Sequence, residues 1–126
     1  MNLYMLRQII IAGAVNAFLA VALGAFAAHG LKNSLGEYEL SIWQTAVNYQ
    51  MYHALGLIFI GLLANSLSIN LNKPGWIMLA GIVLFSGSLY ILSLSGLKTL
   101  GMVTPFGGLC FLIAWLWLAI AVFKSR

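Results

Sequence analysis

The sequence predicts an all-α integral membrane protein, a four-helix bundle with an amphipathic interfacial helix or helix extension before the second span. Only 6% of the 126 residues are charged, against roughly 25% in an ordinary soluble domain. Hydrophobic residues make up 63% of the chain, and the mean hydropathy is +1.02. A spanning helix takes about 20 apolar residues, so the chain holds about enough for four. A soluble fold is therefore excluded, and we expect residues 1–126 to form a single transmembrane domain.

The first predicted span covers about residues 8–29, because no residue from Gln8 to Ala28 is charged. Its end also carries small residues in the A-x-A pattern of a signal-peptide cleavage site. The apolar stretch is longer than a usual signal core and is interrupted by Asn16, so we interpret it as a permanent helix.

The second predicted span covers about residues 47–67. Residues 40–72 are all uncharged, and as one helix they would measure about 50 Å, well beyond the ~30 Å hydrocarbon core. Over about 36–48, apolar side chains recur at helical spacing opposite polar ones. We therefore expect an interfacial helix or a helix extension over 36–48, with a bend near Asn48.

The third predicted span covers about 75–96 and the fourth about 105–123. Thr104 is a predicted N-cap, followed by Pro105 at the first helical position. Gly30 and Gly96 each precede a Leu-Lys pair at the end of a helix. Both glycines are expected to adopt the left-handed conformation that ends a helix.

The cations predict the orientation of the spans. They are Arg7, Lys73, Lys124 and Arg126 on one side, and Lys32 and Lys98 on the other. Because cytoplasmic loops carry the excess of Lys and Arg, both termini are predicted to be cytoplasmic. The cations stand singly and form no patch that could neutralise a phosphate backbone, so no nucleic-acid partner is expected.

Small residues predict which surface of the first helix approaches its neighbours, since close backbone approach drives helix association in lipid. They recur three or four positions apart: Gly13, Ala17, Ala20 and Gly24. Asn16 lies beside this surface. We predict that Asn16 and Thr104 form polar contacts between helices.

Ionisable groups are rare inside membranes and mark candidate functional sites. His29 ends the first helix, whereas His53 lies on the second helix, four residues after Tyr49 and three after Gln50. If the second span begins near residue 47, both imidazoles lie at comparable depth near the outer surface. The candidate binding cluster is therefore His29, Tyr49, Gln50 and His53, close to the loop acids Glu37 and Glu39.

Three interpretations of this cluster are open. Its members are structural hydrogen-bonding and capping groups, or ligands of a metal or haem iron, or a proton relay that uses an imidazole titrating near physiological pH. No motif for hydrolytic or nucleotide chemistry is present, so no catalytic residue is predicted.

Four segments carry a resemblance to a known family. They are GAFAAHGL (24–31), WQTAVNYQMYHALGL (43–57), LFSGSLYILSLSG (84–96) and LGMVTPFGG (100–108). In this order and spacing they closely resemble the DUF423 family of small membrane proteins. The resemblance implies a multi-helix membrane protein without an established activity. It also implies that His29, Gln50 and His53 belong to the signature motifs of the family, with no role assigned to them.

We therefore expect a non-enzymatic binding or interaction protein of the bacterial plasma (inner) membrane. Its partner would be a lipid, another membrane protein or a small hydrophobic ligand, and no cofactor is assigned. A minimal transporter or proton-linked channel is one alternative, and a membrane haem or metal protein is another. The glycine-rich surfaces exceed what four short helices need, which favours a homo-oligomer.

Overall fold

The computed structural model describes residues 2–125, and within that range the chain is helical and has no strand. Four helical segments are long and apolar enough to cross a membrane: Leu3–Leu31, Glu37–Leu67, Asn72–Ser95 and Lys98–Lys124. The four-helix membrane bundle predicted from composition is confirmed. We call the end of the bundle near both chain termini the terminal end, and the opposite end the far end.

The first segment consists of helix α1 (Leu3–Phe26) and a π-helical turn over Ala27–Leu31. The side chain of Asn2 caps α1 by accepting a hydrogen bond of 2.8 Å from the amide of Met5. The left-handed conformation predicted for Gly30 is wrong: within the described residues the only positive φ angles are those of Ser68 and Gly96. The wider π turn ends α1 instead.

Helix α2 (Glu37–Leu67) is continuous over 31 residues, so its length is about 46 Å. The segment over 36–48 is thus an extension of the second span, and the helix is not interrupted near Asn48. The extension stays helical because it remains packed: Trp43, Ala46 and Val47 are buried along one side. On the other side, Gln44 donates a hydrogen bond of 2.8 Å to Asn48.

The third segment is divided into α3 (Asn72–Ile82), a π-helical turn (Val83–Gly87) and α4 (Ser88–Ser95). This π turn is not predicted from the sequence. Gly96 ends α4 with a φ of 71°, and its amide donates to the carbonyl of Leu92 at 2.8 Å. The left-handed conformation predicted for Gly96 is confirmed.

The fourth segment begins with a 3₁₀ helix (Lys98–Met102) and continues as α5 (Thr104–Lys124). The N-cap predicted at Thr104 is wrong, because Val103 occupies that position and Thr104 is already helical. The hydroxyl of Thr104 instead donates to the carbonyl of Leu100 at 3.3 Å. Its oxygen also lies 2.6 Å from Oγ of Ser88, which links α5 to α4.

The helices pack with α2 and the third segment in the middle. The most extensive contact is between α1 and α2, and α5 packs against α3 and the π turn after it. Glycines allow the closest approaches: a Cβ added to Gly13 would lie 2.7 Å from the carbonyl oxygen of Ala54, and one added to Gly107 would collide with the backbone of Phe85. Each outer helix therefore has one packed side and leaves the rest of its apolar surface to lipid.

Candidate functional site

The polar side chains in the middle of α2 point to two different sides of the bundle. Tyr49 and Gln50 are consecutive, and one residue along a helix turns the side chain by about 100°. Gln50 faces inward between α1 and α4, whereas Tyr49 and His53 face α5. The candidate cluster predicted from the sequence therefore divides into an interior network and a separate groove.

Gln50 is the centre of the interior network. Its Nε2 donates to Oδ1 of Asn16 at 3.0 Å, and its Oε1 accepts from the hydroxyl of Tyr90 at 2.7 Å. Asn16 in turn donates from Nδ2 to the carbonyl of Ala12 at 2.8 Å. Because these bonds join α1, α2 and α4, they satisfy buried polar groups and fix the three helices relative to one another.

Trp43 extends this contact region toward the far end. Its Nε1 donates to the carbonyl of Leu23 at 2.9 Å, and its ring meets Tyr90 edge-on with centroids 4.7 Å apart. Trp43 is one of the apolar residues of the extension, and no polar contact is predicted for it from the sequence. A buried indole N–H needs a hydrogen-bond acceptor, so a tryptophan among buried residues by itself indicates a polar contact.

Serines of the third segment also bond across helices. Ser86 donates to the carbonyl of Ala46 at 2.8 Å, and Ser93 donates to the carbonyl of Glu39 at 2.7 Å. Ser95, in contrast, donates within its own helix, to the carbonyl of Ile91. The serines therefore hold the third segment against α2 over most of the far half of the bundle.

His53 lies on the side of α2 that faces α5, and it is only 5% exposed. Its ring stacks on Phe111, with centroids 3.5 Å apart and planes inclined by 7°. Nδ1 lies 2.7 Å from the carbonyl oxygen of Tyr49. Nε2 has no hydrogen-bond partner within residues 2–125. Every fully enclosed side-chain nitrogen or oxygen in that range does have a partner, so Nε2 itself is not fully enclosed.

A groove of about 580 Å³ opens beside His53 between α2 and α5. The Phe85 ring lies between the two walls, 4.6 Å from the Tyr49 ring and 5.5 Å from the Phe111 ring. The groove is lined by Tyr49, His53, Phe85, Pro105, Gly108, Leu109, Phe111, Leu112 and Trp115. None of the lining residues is Asp, Glu, Lys or Arg.

His29 does not join this site. The antiparallel pairing of α1 and α2 puts Asn16 beside Gln50, and His29 follows Asn16 by 13 residues. His53 follows Gln50 by three residues in the opposite direction, so at 1.5 Å per residue the two histidines are separated by about 24 Å along the bundle. The comparable depth predicted for them is therefore wrong: His29 is exposed at the far end, near the start of α2.

The side chains around His53 limit which metal, cofactor or ligand the site can hold. Across residues 2–125, no group of three or more His, Cys, Asp or Glu side chains is arranged to hold a metal ion. A haem could use the open Nε2 of His53, but its two propionates would meet no cation in the lining of the groove. These side chains fit an uncharged organic molecule better than either group.

The four spans, the buried polar network and the lipid-facing groove define a small multi-pass membrane protein. Residues 23–108 match the family described as "Protein of unknown function (DUF423)". This chain is 51% identical to a UPF0382 membrane protein of Staphylococcus aureus strain RF122 over 119 residues, which covers 94% of this chain and 98% of the relative. It is 50% identical to the UPF0382 membrane protein YwdK of Bacillus subtilis over 121 residues, with the same coverage.

The chain belongs to the DUF423 family. The resemblance stated from the four sequence segments is thereby confirmed. The description of the family assigns no activity, and no solved structure gives a significant match to this chain.

Proposed function

We propose that this protein is a binding protein rather than an enzyme, and that its ligand is a small, uncharged, largely apolar molecule of the bilayer. The ligand carries one hydrogen-bond donor, such as a hydroxyl, and occupies the groove between α2 and α5. The observation that carries the proposal is the unpartnered and not fully enclosed Nε2 of His53, a residue that lines a mostly apolar groove. The protein lies in the bacterial cell membrane with both termini in the cytoplasm, as the distribution of cations favours.

The hydrogen bond of His53 determines which ring nitrogen is free. A backbone carbonyl can only accept, so Nδ1, at 2.7 Å from the carbonyl of Tyr49, carries the proton. In the neutral ring Nε2 is then an acceptor with an unused lone pair. The stacking contact with Phe111 fixes the plane of the ring, so this acceptor is presented in one orientation. A ligand that donates a hydrogen bond satisfies it.

The groove supports an apolar ligand of moderate size. Its volume of about 580 Å³ lies within the range of small-molecule sites, roughly 300–1,000 Å³. The rings of Phe85, Phe111 and Trp115 offer flat faces for a ring or an unsaturated chain. A carboxylate or phosphate would find no cation there, which disfavours an anionic ligand.

A matched pair of probes tests the proposal. 2-Naphthol and naphthalene differ only in the hydroxyl, and their binding to purified protein is measured by equilibrium dialysis. We expect the wild type to bind 2-naphthol about tenfold more tightly than it binds naphthalene, relative to empty detergent micelles, because a buried acceptor is satisfied. His53→Phe keeps the ring and removes the acceptor, so this preference should disappear.

His29→Phe is the matched control, because it makes the same chemical change about 24 Å away. It should retain the wild-type preference. Gly108→Leu places a side chain in the groove without changing His53, and it should weaken the binding of both probes. Equal preference for 2-naphthol in the wild type and in His53→Phe would overturn the proposal.

A further inference from the structure

We propose a second binding site, for one anionic phospholipid, on α5 at the terminal end. It is formed by Lys73, Trp117 and Lys124. None of these residues lines the groove at His53, so this site is independent of the proposed function.

Two depressions share Trp117 at this position. One, of about 210 Å³, is polar and is lined by Asn70, Asn72, Lys73, Pro74 and Trp117. The other, of about 410 Å³, is mostly apolar and is lined by Ile113, Leu116, Trp117, Ile120 and Lys124. Because both include Trp117, they form one surface with a polar part at the end of the bundle and an apolar part along α5.

Each lysine shares one of the depressions with Trp117. Nζ of Lys73 lies 6.0 Å from the centroid of the Trp117 ring. Lys124 follows Trp117 by seven residues, so it lies on the same side of α5 and about 10 Å farther along the axis. Both lysines are exposed and can therefore reach a ligand without rearrangement of the helices.

The charge of this surface is not balanced by acidic side chains of the chain. Glu37 and Glu39 are the only Asp or Glu residues in the sequence, and both lie at the far end of α2. Neither depression contains an acidic residue. An anion bound between Lys73 and Lys124 thus meets two cations without a competing carboxylate side chain.

A phospholipid fits both parts of the surface at once. Its phosphate lies between the lysines, the Trp117 ring lies at the level of the headgroups where Trp is enriched, and one acyl chain follows Ile113, Leu116 and Ile120. A free phosphate would use only the polar part. A zwitterionic lipid would bring its own cation to the lysines and lose most of the electrostatic attraction.

Native mass spectrometry of the full chain in detergent tests this site. Equimolar dioleoylphosphatidylglycerol and dioleoylphosphatidylcholine are added, and the ratio of the two bound lipids is measured. We expect the wild type to prefer phosphatidylglycerol, and we expect the double variant Lys73→Gln/Lys124→Gln to reduce this preference about tenfold or more.

The double variant Lys32→Gln/Lys98→Gln is the matched control, because it removes the same charge from exposed lysines at the far end. It should retain the preference. An equal loss in both double variants would show an effect of net charge and overturn the proposal, as would no loss in either. Displacement of bound phosphatidylglycerol by excess sodium phosphate would also overturn it, because the apolar part of the surface would then contribute nothing. His53→Phe should leave the preference unchanged, which separates this test from that of the groove.

Discussion

Among the glycines, Gly107 leaves the least space for a side chain. A Cβ at this residue would contact the backbone nitrogen of Phe85 and would lie 2.7 Å from both Cα and Cβ of the same residue. Ordinary van der Waals contact begins near 3.4 Å. Backbone atoms cannot rotate away as the end of a side chain can, so in Gly107→Ala helix α5 must move from the π turn by about 0.7 Å or more.

Gly108 makes the magnitude measurable, because it is the next residue of the same helix and has room for a methyl group. The nearest atom to its added Cβ is Cδ2 of Phe85 at 3.9 Å. Both substitutions gain about 1 kcal/mol of helix propensity. Only Gly107→Ala incurs the cost of overpacking, typically about 1–3 kcal/mol. We therefore expect Gly107→Ala to be less stable than Gly108→Ala by about 1–3 kcal/mol.

Thermal unfolding in a mild detergent, followed by circular dichroism, measures this difference. At a few degrees per kcal/mol for a chain of this size, Tm of Gly107→Ala should lie about 3–10 °C below that of Gly108→Ala. If the two variants melt together, or if Gly107→Ala melts higher, α5 does not pack on the backbone of the third segment as described.

The interior network and one helix end give two further tests of stability, and a third test concerns orientation. Gln50→Leu and Tyr90→Phe should each lower the free energy of unfolding by about 0.5–2 kcal/mol. Because both substitutions remove the same hydrogen bond, the double variant should lose less stability than the sum of the two single variants. Additive losses would contradict the network. Gly96→Ala should cost about 1 kcal/mol in the same detergent melt because its φ is 71°, whereas Gly101→Ala, with equally open space and no positive φ, should cost nothing. A green fluorescent protein fused to the C-terminus should fluoresce in whole bacteria, and an alkaline phosphatase fused there should be inactive; the reverse pattern would refute the predicted orientation.

Composition and the residue types at helix ends predicted most of the fold. The fourth span was predicted over 105–123 and is found as Thr104–Lys124, since proline and lysine mark its limits. The third was predicted to begin near 75 and begins at Asn72. These features depend on length, charge and turn chemistry, which are local and therefore readable from a single sequence.

The rotation of each helix about its axis was much harder to predict. In lipid a helix is apolar on its exposed side as well as on its buried side, so hydrophobic periodicity does not indicate which side faces inward. For this reason Gln50 and His53 were assigned to one cluster, although they contact different helices. The error in depth at His29 has another cause, because the pairing of α1 with α2 depends on contacts such as that of Gly13 with Ala54.

The π turn over Val83–Gly87 determines how α4 is rotated relative to α3. A π turn accommodates about one residue more than an α-helical path, so if the same residues were α-helical, everything after them would be rotated by about 100° relative to α3. Tyr90 and Ser93 would then turn away from α2, and Ser88 would leave Thr104. Deletion of one residue within the turn can be absorbed by its conversion to ordinary α-helix, whereas deletion of one residue within α3 would separate three interhelical contacts at once. The π turn is thus a place in this span where a change of length is well tolerated.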